Sequence, residues 1–85
     1  AEEIASMAGV IEGVDCALTI RELAGGESKI SLRTGARINA TEACRLLGGG
    51  GHARAAGATL EGVSRAEAEE KMLTAIARIV PDFKR

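Results

Sequence analysis

Aromatic side chains are all but missing from this chain: Phe83 is the only one among 85 residues, with no Trp and no Tyr. That absence excludes a stacking platform for single-stranded bases, which needs several exposed rings. It also dictates a thin core of Ile, Leu, Val, Met and alanine, closely packed and suited to cover by a neighbouring domain on one side. Excess charge is missing too. Eleven basic side chains meet twelve acidic ones, for a net charge of −1. A long duplex-binding surface is thereby excluded, while room remains for a local anion site. Cysteine is sparse: Cys16 and Cys44 each sit in an apolar pattern and read as buried thiols, not as a secreted disulfide scaffold. No apolar run is long enough to span a bilayer and no signal peptide is visible, which points to a cytoplasmic protein without a membrane partner. A single histidine, two distant cysteines and scattered carboxylates build no metal centre and no nucleophile–base pair. The length fits one domain over residues 1–85. Because Ala1 stands where a Met would open a gene product, a processed product or a piece of something longer is expected.

What the chain does have is glycine, concentrated in Gly48-Gly49-Gly50-Gly51-His52-Ala53-Arg54-Ala55-Ala56-Gly57. Four successive glycines cost entropy that alanines would not. Such a run is tolerated where the backbone must adopt unusual angles or let something approach closely. Its N–H groups can converge on an anion, and a helix starting just after would add its N-terminal field. A phosphate is the expected guest. His52, the only histidine, donates from both ring nitrogens when protonated, and a nearby dianion favours that form. It could then hold the phosphate or pass a proton to a leaving oxygen. Arg33 and Arg54 can each grip a phosphate with two parallel bonds. Neither common glycine motif fits: no Lys follows as in nucleoside triphosphatases, and the run follows a helix rather than a first strand.

Periodicity places these residues. Ile4, Met7, Ala8 and Ile11 have helical spacing, so residues 1–9 are expected to be a helix, with Glu2 and Glu3 at its N-terminus and Gly9 and Gly13 ending the pattern. Val14 to Leu23 and Ser28 to Thr34 alternate as strands and should pair as an antiparallel hairpin around Ala24–Glu27. Their polar face would carry Thr19, Arg21, Ser31 and Arg33. Asn39 and Glu42 cap a helix burying Ala40, Ala43, Cys44 and Leu47, which Gly48 stops. One helical turn is expected within Ala53–Gly57, then a strand over Ala58–Glu61. Ser64 and Glu67 form a capping box for a last helix burying Met72, Leu73, Ile76 and Val80, ended by Pro81. The order helix–strand–strand–helix–loop–strand–helix predicts an α/β domain: a small mixed β-sheet with helices packed on it.

At these residues a resemblance appears. Gly49-Gly50-Gly51-His52-Ala53-Arg54-Ala55-Ala56-Gly57 resembles the G-G-G-H-x-x-A-A-G signature of the DHH-associated domain, first subtype. Lys29-Ile30-Ser31-Leu32-Arg33-Thr34 resembles that domain's K-V-S-L-R-S strand, and Asn39-Ala40 with its short helix also matches. The likeness spans essentially the whole chain. It is nearest to bifunctional oligoribonucleases that also dephosphorylate 3′-phosphoadenosine 5′-phosphate, with cyclic-dinucleotide phosphodiesterases as near relatives. The resemblance implies the C-terminal, substrate-holding domain of a phosphoesterase. An N-terminal DHH domain of the same protein would hold two manganese ions and face this one across a cleft. Gly49, Gly50, Gly51 and His52 would then meet the phosphate near the metals, Arg33 would meet a substrate phosphate or nucleotide, and Ser31 is a lesser candidate beside it. The D-H-H motif and its metal-binding aspartates are absent here. No cofactor and no catalytic residue is therefore expected of this chain alone, His52 contributing only in the full enzyme. The expected partners are a nucleotide or a short single-stranded RNA or DNA. The alternative is a non-catalytic nucleic-acid-binding module, as in the C-terminal part of alanyl-tRNA synthetases. A third reading makes the glycines purely a packing device between helix and strand.

Overall fold

The computed structural model describes residues 3–11 and 14–81, with side chains from Cys16 to Pro81. Among the described residues, five strands and two helices follow in the order β1 (Glu3–Ile11), β2 (Val14–Leu23), β3 (Glu27–Thr34), α1 (Ala40–Arg45), β4 (Gly50–His52), β5 (Ala55–Glu61) and α2 (Arg65–Ile79). The strands form one sheet in the order β1-β2-β3-β5-β4. The α/β domain is as expected, and each of its pairings is antiparallel.

The β2–β3 hairpin forms where alternation placed it, with Leu18 opposite Leu32 and Ile20 opposite Ile30. Cys16, Leu18, Ile20, Ser28, Ile30 and Leu32 are buried on one face, while Lys29, Ser31 and Arg33 are exposed on the other. Both helices lie against the buried face, α1 over β4 and β5 and α2 over β2 and β3. The core is thin, as the lack of aromatics requires. Ala40, Ala43, Ala58, Ala68 and Ala75 are buried beside Ile38, Met72 and Ile76. Alanines let backbones approach closely, and each buried Leu or Ile still contributes about 1.5–3 kcal/mol.

Local signals set the helix ends. The Asn39 side chain accepts from the Glu42 N–H at 3.0 Å. At α2, the Glu67 N–H donates to Ser64 Oγ (3.1 Å) and the Ser64 N–H to Glu67 Oε1 (2.9 Å), closing the capping box. The buried Ser28 hydroxyl donates to the Val63 carbonyl (3.1 Å), and the Gly62 N–H to the Gly26 carbonyl (2.9 Å). These two bonds tie the entry of α2 to the β2–β3 turn.

Two sequence expectations are corrected. Residues 3–11 are a strand, not a helix. Pairing with β2 runs from Glu3↔Arg21 to Ile11↔Val14, with a register shift between Met7 and Gly9. The extra residue at that bulge moves the β2-aligned set from even to odd positions, so Ile4 and Ile11 lie seven apart as on a helix. The expected roles of Glu2 and Gly13 fall outside the described residues. Second, no helical turn occupies 53–57. β4 and β5 form a hairpin whose tip is Ala53-Arg54. Neither tip residue has a positive φ, so turn chemistry of the favoured primed kind does not hold it. Long-range bonds do: Thr34 N–H to the Arg54 carbonyl (3.0 Å) and Ala40 N–H to the Ala53 carbonyl (2.7 Å).

Candidate functional site

The four glycines divide the work of making a sharp exit from α1 and a tight edge strand. Gly48, at φ +87°, donates to the Arg45 carbonyl (3.0 Å), and Gly49 donates to the Cys44 carbonyl (2.8 Å). This pair of bonds is the Schellman closure of a helix. Those two N–H groups are consumed by α1, so the expected cradle of four glycine N–H groups does not form, and no helix follows to add its field. Gly49 and Gly51 are also demanded by close approach. A Cβ at Gly49 would overlap the Gly57 carbonyl and lie 2.7 Å from Ala58 Cα, and one at Gly51 would lie 2.6 Å from Ala56 Cα. Gly50 differs: a Cβ there would meet nothing within 4 Å. Packing explains Gly49 and Gly51; it does not explain Gly50.

Register shows what surrounds Gly50. Arg33 and His52 both lie opposite Ala55, and Ser31 and Gly50 both lie opposite Gly57. Paired residues share a face of a sheet. His52, Arg33, Ser31 and Gly50 therefore share the face that the helices leave uncovered. All four are exposed. Across β5, strands stand two spacings apart, which sets the Arg33 and His52 backbones about 10 Å apart. Ala55 lies between Arg33 and His52, and Gly57 between Ser31 and Gly50, so these two rows have a floor of small residues beside a guanidinium and an imidazole. Arg33 carries charge and a two-pronged donor, His52 a ring donor, and Ser31 a hydroxyl. That set suits an oxyanion resting over Gly50.

Arg54 is placed apart, at the hairpin tip, where its Nη1 donates to the Gly35 carbonyl at 3.2 Å. The Thr34 hydroxyl donates nearby to the Ile38 carbonyl (2.8 Å), with the Ala53 carbonyl 3.3 Å away. Arg54 thus helps fix the tip that follows His52. Sequence reasoning placed Thr19 and Arg21 on the polar face but gave no site role to Lys29. Alternation along β3 was the signal, since it sets Lys29, Ser31 and Arg33 on one side. Those three, with Thr19 and Arg21, line or border a polar depression of about 180 Å³ formed by Thr19, Arg21, Lys29 and Ser31.

Elsewhere, a larger groove of about 320 Å³ runs between the end of α1 and α2, past Leu46, Leu47 and Thr74. It lies on the helix side, and none of the expected site residues lines it. Cys16 and Cys44 are buried and not in a disulfide, as expected. Burial pushes the Cys44 thiol up to about 11. No helix among the described residues is long and apolar enough to cross a membrane. Among the described residues no three His, Cys, Asp or Glu side chains gather to hold a metal ion. These residues do not fit a manganese centre.

A small antiparallel sheet, helices on one side and donors spread over the bare side define an α/β domain with an open, anion-suited face. The chain belongs to the DHHA1 domain family, which matches over residues 1–82. It is also similar to a Thermus thermophilus protein described as bifunctional oligoribonuclease and PAP phosphatase NrnA, at 38% identity over 66 residues. That stretch covers 78% of this chain and 20% of the relative, so the chain spans about a fifth of the relative's length.

Proposed function

We propose that this chain is the substrate-holding domain of a longer, two-domain DHH-family phosphoesterase acting on nucleotides or short single-stranded nucleic acid. In this reading Arg33, His52 and Ser31 grip a phosphate over Gly50. The bare sheet face looks across a cleft to an N-terminal DHH domain that carries manganese. The chain alone binds and orients; the metals elsewhere activate water. His52 in its charged form holds the phosphate or protonates a leaving oxygen in the assembled enzyme. What supports this is chiefly one observation: Gly50, whose missing side chain packing does not require, lies on the same bare face as Arg33 and His52. Membership of the DHHA1 family and similarity to the Thermus protein point the same way.

The test is an NMR titration of the chain with a 5′-phosphorylated dinucleotide and with 3′-phosphoadenosine 5′-phosphate. Backbone amide shifts are expected at Ser31, Arg33, Gly50, Gly51 and His52. Shifts confined to the α1–α2 groove, or none at millimolar ligand, would overturn the assignment of the site to this face.

A further inference from the structure

His52 sits where the sheet has least hold on it. β4 is three residues long, two of them glycine, and it pairs on one side only, with β5. Glycine has weak strand preference and the most backbone freedom to lose. Arg33 is held differently. β3 pairs with β2 on one side and β5 on the other, and Arg33 is in register with both Ala17 and Ala55. The tip after His52 brings no favoured turn of its own. Ala53 and Arg54 have no positive φ, so they lack the primed turn whose twist suits a two-residue hairpin.

What holds the tip comes from outside the hairpin. The Arg54 carbonyl accepts from the Thr34 N–H (3.0 Å), and the Ala53 carbonyl from the Ala40 N–H (2.7 Å). Ala40 opens α1, where the first N–H groups have no partner within the helix, so the same bond satisfies the helix start. The Thr34 hydroxyl donates to the Ile38 carbonyl (2.8 Å), and the Ala53 carbonyl lies 3.3 Å from the same oxygen. Arg54 closes the ring through its bond to the Gly35 carbonyl (3.2 Å). Thr34 is half-buried and follows Arg33 directly in the chain. One residue thus fastens the end of the strand that carries Arg33 to the tip that continues from His52.

We propose that Thr34 and Arg54 are positioning residues: they clasp the β4–β5 tip and hold the His52 imidazole in the row of Arg33, without touching the phosphate themselves. This rests on the phosphate site proposed above and deepens it. A loose His52 would have to be ordered by the ligand, and that ordering entropy would lower the affinity. Arg33, paired on both sides, needs no such help.

The test is calorimetric binding of 5′-phosphorylated diadenylate to the full chain and to its Thr34→Val, Thr34→Ser and Arg54→Gln variants, each made also with His52→Ala, beside thermal melts and NMR of the His52 ring. Thr34→Val removes the hydroxyl at nearly constant shape and should weaken binding by about threefold to tenfold, the worth of one hydrogen bond. Thr34→Ser keeps the hydroxyl and should bind like the parent. Arg54→Gln should cost less, because its bond lies at the exposed surface. Arg54 is exposed, so this variant reads the clasp even if Thr34→Val melts near the assay temperature. With His52→Ala in place, neither change should cost anything more, because a residue acting through His52 has nothing left to position. At saturation the ligand-induced shift of the His52 ring should shrink in Thr34→Val while that of the Arg33 amide stays. A loss as large with His52→Ala as without it, or no loss from Thr34→Val, would overturn the clasp and leave the phosphate site standing. An Arg54→Gln loss that exceeds that of Thr34→Val and persists with His52→Ala would overturn the positioning role of Arg54 and make it a direct phosphate contact. No binding by the parent would overturn both the clasp and the site.

Discussion

Arg33 on β3 and His52 on β4 lie opposite the same residue, Ala55, which separates them on the bare face of the sheet. Neither strand alone brings them together; the interposed β5 does. Arg33→Ala should therefore weaken binding of a phosphorylated nucleotide by about tenfold to a hundredfold, the loss of one charged two-bond contact. Arg33→Lys should recover only part, because an ammonium cannot reproduce the planar fork. Arg33 is exposed, so the melting temperature of both variants should stay near that of the parent. Calorimetry beside thermal melts checks both, and a large loss of stability would mean that Arg33 serves the fold.

The glycine run yields a sharper separation. Gly49→Ala and Gly51→Ala force a methyl into β5 and should cost about 1–3 kcal/mol, the usual range for overpacking. Gly50→Ala meets open space. It should hold stability or raise it by about 0.4–1 kcal/mol through the stiffer unfolded chain. Yet it should weaken phosphate binding, because the methyl occupies the floor on which the ligand rests. Urea midpoints and the same calorimetry would show it. Unchanged affinity in Gly50→Ala would reduce the whole run to a packing device.

Much of this is legible in the sequence alone, for reasons that particular residues make plain. The caps at Asn39 and Ser64, the stop at Gly48 and the alternation of β2 and β3 are local, so neighbours in sequence suffice to read them. β1 was not legible, because a bulge near Ala8 shifts the alternation and leaves a helix-like spacing between Ile4 and Ile11. β4 and the start of β5 were not either. Gly50, Gly51, Ala55, Ala56 and Gly57 have weak strand preference, and they pair because α1 presses closely on them. For the site, residue identities were readable but their grouping was not. That Arg33 and His52 share a row, and that Arg54 turns to Gly35, depends on registers that only the folded sheet fixes.

Acid should weaken the start of α2 in a defined window. Hydrogen bonds from Ser64 hold the Glu67 carboxyl below its ordinary range, with Lys71 adding a smaller pull. A group lowered in the fold adds stability that is present above its unfolded value, about 4.3, and lost as pH falls through its folded value. The stability advantage of the parent over Glu67→Gln should therefore be present at neutral pH and shrink on going below about 4.3. Urea unfolding at pH 7 and pH 3 measures it. An advantage unchanged at pH 3 would show that the charge on Glu67 is not what the cap uses.

Cys44 works in the opposite direction and at the other end of the scale. Buried on α1, it is raised from 9.0 to about 11 by burial. The fold holds the neutral thiol, whereas the unfolded chain releases the proton near the ordinary value. The associated stability is complete below that value and is lost as pH rises from 9.0 toward 11. The native thiol should also resist alkylation at pH 8, since the thiolate is the reactive form. Iodoacetamide labelling with and without urea, read by mass spectrometry, tests the second point, and melts at pH 8 and pH 10 test the first. Cys44→Ala should show a shallower loss between those two pH values, because it has no proton to release. An equal loss in both proteins would place the alkaline sensitivity elsewhere in the chain.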